Sequence, residues 1–393
     1  MADPWLSIIG VNEDSADNLP PASRAALDAA EVVFGGPRHL ELADVGARGR
    51  AWPVPFSVEP VMACKGRAVA VLASGDPFWF GAGSTLVAHL EPGEYRSFPL
   101  PSTFALAASC LGWRLEDVTC HGLHAAPFAR LRSVLAPEGR MICLVRDGDA
   151  PAELARWLCG QDAGAARMWV MERLGGPAQR VRQTQAQGYD LRDTRAPVAV
   201  AIQLPRGVGL GRASGLPDAL FASDGQITKQ PVRALTLSAL APRRNELLWD
   251  LGAGSGSVSV EWCLAGGRAI AFERHDARVS NIRRNAEDFG IAHRLEVLAG
   301  DSGSLINSQP LPDAVFVGGG GTPKLFEALF ARLPSGTRLV ANGVTLETES
   351  LLGRLHADRG GRLLRADLAE AAPLGTMRGW QPARPIVQWS VTL

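Results

Sequence analysis

The chain has 393 residues, 46% of them hydrophobic and 20% charged. At roughly 100–200 residues per domain that predicts two or three globular domains and excludes a disordered or fibrous chain. Lys+Arg and Asp+Glu both number 40, and the zero net charge argues against nucleic acid as a partner, because a phosphate-backbone binder carries a basic excess or a basic run. The basic residues are nearly all Arg, with Lys only at 65, 229 and 324. Guanidinium forks of that kind suit carboxylate ligands. The cysteines lie far apart without a CxxC, which gives no disulfide framework and no metal spacing and fits a reducing cytosol. The N-terminus MADPWLSIIG lacks the basic and apolar regions of a signal peptide. No apolar run approaches the ~20 residues of a membrane span. The expectation is therefore a cytoplasmic protein with no membrane and no metal.

Short apolar runs alternate with helical stretches, the pattern of an α/β protein. In the first half WLSIIGV (5–11), AVAVLA (68–73), MICLV (141–145) and PVAVAIQL (197–204) predict strands, with helices near 22–31, 84–90, 102–111 and 151–159. In the second half ELLWDLG (246–252), RAIAFE (268–273), LEVLAG (295–300), DAVFVGG (313–319) and TRLVANG (337–343) predict strands. After position 275 the spacing of Val279, Ile282, Ala286 and Phe289 predicts a helix with one apolar face and Arg and Asn opposite. The seam is PRGVGLGRASGLP (205–217), rich in Gly and Pro and without apolar periodicity. The organisation expected is a first domain over 1–204, a linker over 205–214 and a second domain over 215–393.

LLWDLGAGSGSVSVEW (247–262) reads as a strand ending near Asp250, a turn with Gly252, Gly254 and Gly256, and a helix from about Ser257. Such glycines permit a tight turn and close approach of a ligand to backbone N–H groups. A dinucleotide fingerprint wants G-x-G-x-x-G, but position 257 is Ser. The G-x-G-x-G after an acid is the form seen in S-adenosylmethionine (SAM) methyltransferases. Glu273 closes the next strand, where a carboxylate can accept both ribose hydroxyls, and LAGDS (298–302) closes the third, with Asp301 either meeting adenine or capping a helix. After the fourth strand VFVGGGGTPKLFE (315–327) lacks the Pro-Pro-aromatic clamp of amino-group methyltransferases. Its glycines leave room for a bulky substrate or form a mobile loop.

GLPDALFASDGQITKQPVRALTLSAL (215–240), followed by this glycine motif, resembles the decarboxylating methyltransferases of corrin biosynthesis over nearly all of 215–393. The D-G-x-I-T-K box is Asp224, Gly225, Ile227, Thr228 and Lys229. The resemblance implies a class I methyltransferase fold, Rossmann-like, with SAM contacts at Thr228, Gly252, Ala253, Gly254, Ser255, Gly256, Glu273 and Ser302, to which the strand-end position adds Asp301. In the first half AVAVLASGDPFWFGAGSTLVAHL (68–90), with VVFGGPRHL (32–40), PLPSTFALAASCLGW (99–113) and HGLH (121–124), resembles the tetrapyrrole methylases over about 1–204. That fold places SAM between two α/β subdomains. By it Ser74, Gly75, Asp76, Trp79, Ser102 and Thr103 would line a second SAM site. The family opens with a glycine-rich loop near G-x-G-x-G-D, whereas this chain has Gly10-Val11-Asn12-Glu13-Asp14-Ser15. His121 and His124 could relay protons, hold a propionate, or be structural.

Fused in this order, the two modules resemble the decarboxylating precorrin-6Y C-methyltransferase family of aerobic cobalamin synthesis. The resemblance implies methylation of a precorrin at carbons 5 and 15, loss of CO2 from the carbon-12 acetate, one SAM per domain, and a homo-oligomer. No nucleophilic Ser or Cys motif is present, and none is needed for methyl transfer to an enamine-like carbon. Two alternatives stay open: an RNA methyltransferase, and a single active domain with the first serving to dock substrate.

Overall fold

The computed structural model describes residues 4–14 and 18–393. Ser15, the last residue of the degenerate opening loop, lies outside the described residues. The chain forms two compact units, Met1–Phe128 with Val134–Val208, and Ala129–Ser133 with Gly209–Leu393.

The first unit begins with β1 (Leu6–Val11), α1 (Pro21–Ala29), β2 (Val32–Gly35), α2 (Pro37–Leu42), β3 (Gly49–Ala51), α3 (Glu59–Met62), β4 (Val69–Ser74), α4 (Gly83–Val87) and β5 (Tyr95–Phe98). These strands make a parallel sheet in the order β3-β2-β4-β1-β5. Its two central strands, β4 and β1, are mostly apolar because both faces are covered. Next come α5 (Thr103–Leu111), β6 (Val118–Gly122), β7 (Arg140–Val145), α6 (Ala150–Cys159), β8 (Arg167–Glu172), β9 (Arg180–Gln185) and β10 (Val198–Gln203). They build a second, mixed sheet in the order β6-β7-β10-β8-β9. Two sheets of this kind are the pair of α/β subdomains expected. Cys143 is buried in the second sheet.

The second unit contains α7 (Gln230–Leu240), β11 (Leu247–Leu251), α8 (Ser257–Leu264), β12 (Arg268–Glu273), α9 (Asp276–Asp288), β13 (Leu295–Ala299), α10 (Ser302–Leu305), β14 (Ala314–Val317), α11 (Pro323–Arg332), β15 (Arg338–Gly343), α12 (Leu346–Arg359), β16 (Arg362–Ala366), β17 (Ala369–Leu374), β18 (Met377–Pro382) and β19 (Ile386–Thr392). Seven of the strands form one sheet in the order β13-β12-β11-β14-β15-β19-β16, parallel except at β19. Leu248, Ala271 and Phe316 point to one face, under α7, α8 and α9, whereas Trp249, Phe272 and Val317 point to the other. The strand order reverses at β11 and β14, and ligands of open α/β sheets bind outside the carboxyl ends at such a switch point.

All nine predicted strands are present within a residue or two of their expected ends. Of the strands that sequence alone passed over, β3, β5, β6, β9 and β16 to β18 are edge or hairpin strands with exposed positions and carry little apolar signal, whereas β2, β8 and β19 lie inside their sheets, are largely buried, and were missed despite their apolar runs. One face assignment is corrected. Asn285 was expected on the solvent face of α9 but is fully buried. Its amide accepts from Ala222 N at 2.8 Å and donates to the Ala222 and Ser255 carbonyls, each at 2.9 Å. It ties the chain entering the D-G-x-I-T-K box to the glycine loop.

Candidate active sites

In the second unit the glycine loop leaves β11 at the switch point. Gly252, Gly254 and Gly256 all have positive φ, at 70°, 60° and 71°. A Cβ on Gly252 would lie 2.6 Å from the Gly319 carbonyl oxygen, and one on Gly256 would lie 2.8 Å from the Ile282 side chain. The glycines are therefore fixed by turn geometry and by close packing together. The same contact explains part of the four-glycine run after β14. It lets two loops lie against each other, as well as leaving Gly319 and Gly320 on the wall of a cavity.

That cavity is about 580 Å³ and is walled by Gly252, Glu273, Asp301 and Ser302 among the expected residues. Ala253, Gly254, Ser255 and Gly256 form the loop behind this wall, and Thr228 is not on it. Ser255 is buried, with its hydroxyl unpartnered. Asp301 caps α10, its carboxylate accepting from Ser304 N at 3.1 Å. Thr228 is held by its backbone, the carbonyl accepting from Arg233.

Glu273 departs from the picture of a free carboxylate. It is 4% exposed. Its Oε2 accepts from Gly254 N at 2.9 Å, and its Oε1 accepts from Arg274 N at 2.9 Å and His275 N at 3.0 Å. A carboxylate offers about four lone-pair sites, so about one is left for a ribose hydroxyl. Asp250, at the end of β11, is fully buried. Ser259 Oγ donates to its Oδ2 at 2.6 Å, while Oδ1 has no partner among the described residues. Burial pushes its carboxyl up to about 6. Asn342, at the end of β15, is structural: it donates to Thr236 Oγ1 at 2.8 Å and accepts from Gln388 at 3.0 Å.

Sequence reasoning gave no role to Arg233, which is completely buried. Its guanidinium donates to Glu261 at 2.6 Å, to Asp218 at 3.0 Å and to the carbonyls of Leu216 and Thr228. Glu261 in turn accepts from Gly215 N at 2.7 Å and Leu216 N at 2.9 Å. This pair fastens the whole segment that carries the D-G-x-I-T-K box. The box then lies against the glycine loop, since a Cβ on Gly254 would be 3.0 Å from the Gln226 carbonyl oxygen.

In the first unit a cavity of about 450 Å³ opens between the two sheets. Of the residues singled out in the sequence, Ser74, Trp79, Ser102 and Thr103 line it, and Gly75 and Asp76 do not. Those two build the turn instead. Gly75 has φ +54°, and Asp76 Oδ1 accepts from Phe78 N at 2.9 Å. Ser102 also caps α5, accepting from Ala105 N at 3.2 Å. The one glycine kept in the degenerate opening loop is the one packing demands: a Cβ on Gly10 would lie 1.9 Å from the Gly75 carbonyl oxygen. His124 lines the cavity and His121 does not. Burial lowers the affinity of His121 for a proton, which agrees with a structural ring.

Glu13, Arg38, His39 and Arg146 also line this cavity. Glu13 comes from the loop where glycines were expected, and it pairs with Arg38. His39 Nε2 lies 2.9 Å from Ser74 Oγ and 3.2 Å from an Arg38 nitrogen. The signal was in VVFGGPRHL, where Arg and His follow a Gly-Gly-Pro helix start at a strand end.

Two family models match the chain. The tetrapyrrole (corrin/porphyrin) methylase family matches residues 6–189, and the precorrin methyltransferase domain family matches residues 219–393. A Sinorhizobium protein named precorrin-6Y C(5,15)-methyltransferase (decarboxylating) is 44% identical over 100% of this chain and 97% of its own length. A Mycobacterium tuberculosis protein of the same name is 37% identical over 98% of this chain and 99% of its own. The crystal structure of the C-terminal domain of precorrin-6Y C5,15-methyltransferase from Rhodobacter capsulatus is 55% identical and covers 47% of this chain and 100% of that one, with a TM-score of 0.46. With full-length relatives at this identity, the chain belongs to the precorrin-6Y C(5,15)-methyltransferase (decarboxylating) family.

Proposed function

We propose that the chain methylates a precorrin at carbons 5 and 15 and removes CO2 from the carbon-12 acetate, as the names of its full-length relatives indicate for the methylations and a decarboxylation. The observation that supports two methyl transfers is that each compact unit carries its own cavity at strand ends. The methyl donor of such enzymes is SAM, which supplies a methyl group already activated on a sulfonium. The residues present fit it in both units. In the second, the loop Gly252–Gly256, Glu273, Asp301 and Ser302 would hold it, with Thr228 held beside them. In the first, Ser74, Trp79, Ser102 and Thr103 would do so, on the turn that Gly75 and Asp76 shape.

The protein's work in such a reaction is alignment and exclusion of water. The macrocycle carbon is nucleophilic through its conjugation, and decarboxylation uses the same conjugated system as electron sink. We assign carbon 15 and the decarboxylation to the second unit and carbon 5 to the first. The test is product mass and CO2 release after giving residues 1–204 and 215–393 separately the same substrate and labelled SAM. The second half should add one methyl and release CO2, and the first should add one methyl and release none. CO2 from residues 1–204 overturns the assignment.

A further inference from the structure

Methylation of a methine carbon leaves a proton to dispose of. That carbon starts with one hydrogen. When it bonds to the methyl group, the methyl–sulfur bond breaks with its electron pair left on sulfur. The macrocycle then carries a positive charge on a carbon framework bearing both H and CH3. Breaking the C–H bond returns its pair to the ring and restores conjugation. A site that performs this reaction therefore needs a proton acceptor, and the first-unit cavity holds one arrangement suited to it.

We propose that Ser74 and His39 form the proton relay of the first unit: Ser74 Oγ takes the proton from the methylated carbon as it passes its own to His39 Nε2. This rests on the reading that the first unit methylates the macrocycle. Ser74 is exposed at the end of β4 and lines the cavity, and its Oγ lies 2.9 Å from Nε2 of His39 in α2. Arg38, which can only donate, lies 3.2 Å from the same nitrogen, so Nε2 presents its lone pair and the ring proton sits on Nδ1. The hydroxyl hydrogen of Ser74 then points to the imidazole, one of its lone pairs accepts from Arg38 at 3.3 Å, and the other is left for the cavity.

The other groups on the cavity wall are less suited. Glu13 is tied to Arg38, and Arg38 and Arg146 stay charged at every working pH. His124 is exposed, without the seryl partner that His39 has. The charged groups acting on His39 and its partner Arg38 are Arg38 itself on the same helix, Glu13 from the opening loop, and Arg173 at the end of β8, which opposes the Arg38 charge. Burial and then the Arg38 charge lower His39 to about 4. It is therefore unprotonated, and able to accept, at pH values above that. A weak base suffices, because the proton it removes comes from a cation that regains conjugation by losing it. Bulk water takes the proton afterwards.

The test uses the full chain with His39→Ala and His39→Gln, the second keeping an oxygen that can hold the Ser74 hydroxyl. SAM stoichiometry and affinity are measured by calorimetry, and methyl count and CO2 by mass spectrometry. Both variants should bind two SAM per chain with affinity within about two-fold of the parent and release CO2 normally. The first-unit methylation should slow by about 10²–10⁴, the usual scale of acid–base catalysis. Added imidazole should restore it in His39→Ala, with the rescued rate rising through roughly pH 6.5–7 as imidazole deprotonates, while the parent rate is flat there. Two methyls at the parent rate overturn the relay. So does loss of one SAM from the variants, which would place His39 in binding, or slow methylation without imidazole rescue, which would make it structural. A parent chain that binds one SAM only would instead sink the reading on which the relay rests, and the relay with it.

Discussion

Glu273 Oε2 accepts a hydrogen bond from the Gly254 N–H at 2.9 Å, which joins the carboxylate at the end of β12 to the middle of the glycine loop after β11. The second-unit site is thus organised from within: one carboxylate holds the loop and the start of the following segment through three backbone N–H groups. Glu273→Ala should weaken SAM binding by roughly 1.5–3 kcal/mol, the range for hydrogen bonds to charged groups. It should also loosen the loop. Hydrogen exchange at Gly254, Arg274 and His275 should quicken in the variant without ligand. Weaker binding with unchanged exchange would mean that the carboxylate serves the ligand alone.

Gly254→Val should abolish SAM binding by the second unit. The residue has φ +60°, and its Cβ would lie 3.0 Å from the Gln226 carbonyl oxygen, so a β-branched side chain meets both backbone strain and the D-G-x-I-T-K box. Calorimetry should fall from two sites per chain to one. Two sites with unaltered affinities would contradict the placement of SAM on this loop.

Arg233→Met should destabilise the second unit by about 3–5 kcal/mol, since it leaves the Glu261 carboxylate buried without its cation. The double variant with Glu261→Leu should recover part of the loss, because no charge then remains to be buried. Chemical denaturation followed by a second-unit tryptophan signal checks both. A single variant as stable as the parent would show that the segment 215–229 is held by other means.

The Asp250 carboxyl gives a pH dependence of definite sign. Its folded value of about 6 lies above the ordinary 3.8. Below the ordinary value it is neutral in both states and its burial costs least. As pH rises through about 6 the folded protein must hold a charge that burial resists, so stability is lost over that window. The full effect is on the order of 3 kcal/mol at about 1.36 kcal/mol per pH unit. The stability of Asp250→Asn relative to the parent should therefore rise between pH 4.5 and pH 7.5. A difference that stays constant across that range would show that Asp250 does not titrate there.

Sequence alone determined the two modules, nine of the strands and the glycine turns, because apolar runs, glycine spacing and short motifs are local properties of the chain. It also flagged a minority of the residues now seen on the two cavity walls, among them Gly252, Glu273, Asp301 and Ser302 in one, and Ser74, Trp79, Ser102 and Thr103 in the other. Tertiary structure decided which of the flagged residues face a cavity and which build the turn behind it, as with Gly75, Asp76 and Gly254. It alone brought together groups far apart in the chain: Arg233 with Glu261, Asn285 with Ser255, His39 with Ser74. No periodicity announces polar pairs of this kind. In the two buried ones, Arg233 with Glu261 and Asn285 with Ser255, each member reads locally as an ordinary surface residue, and only packing removes the water that would otherwise serve as its partner.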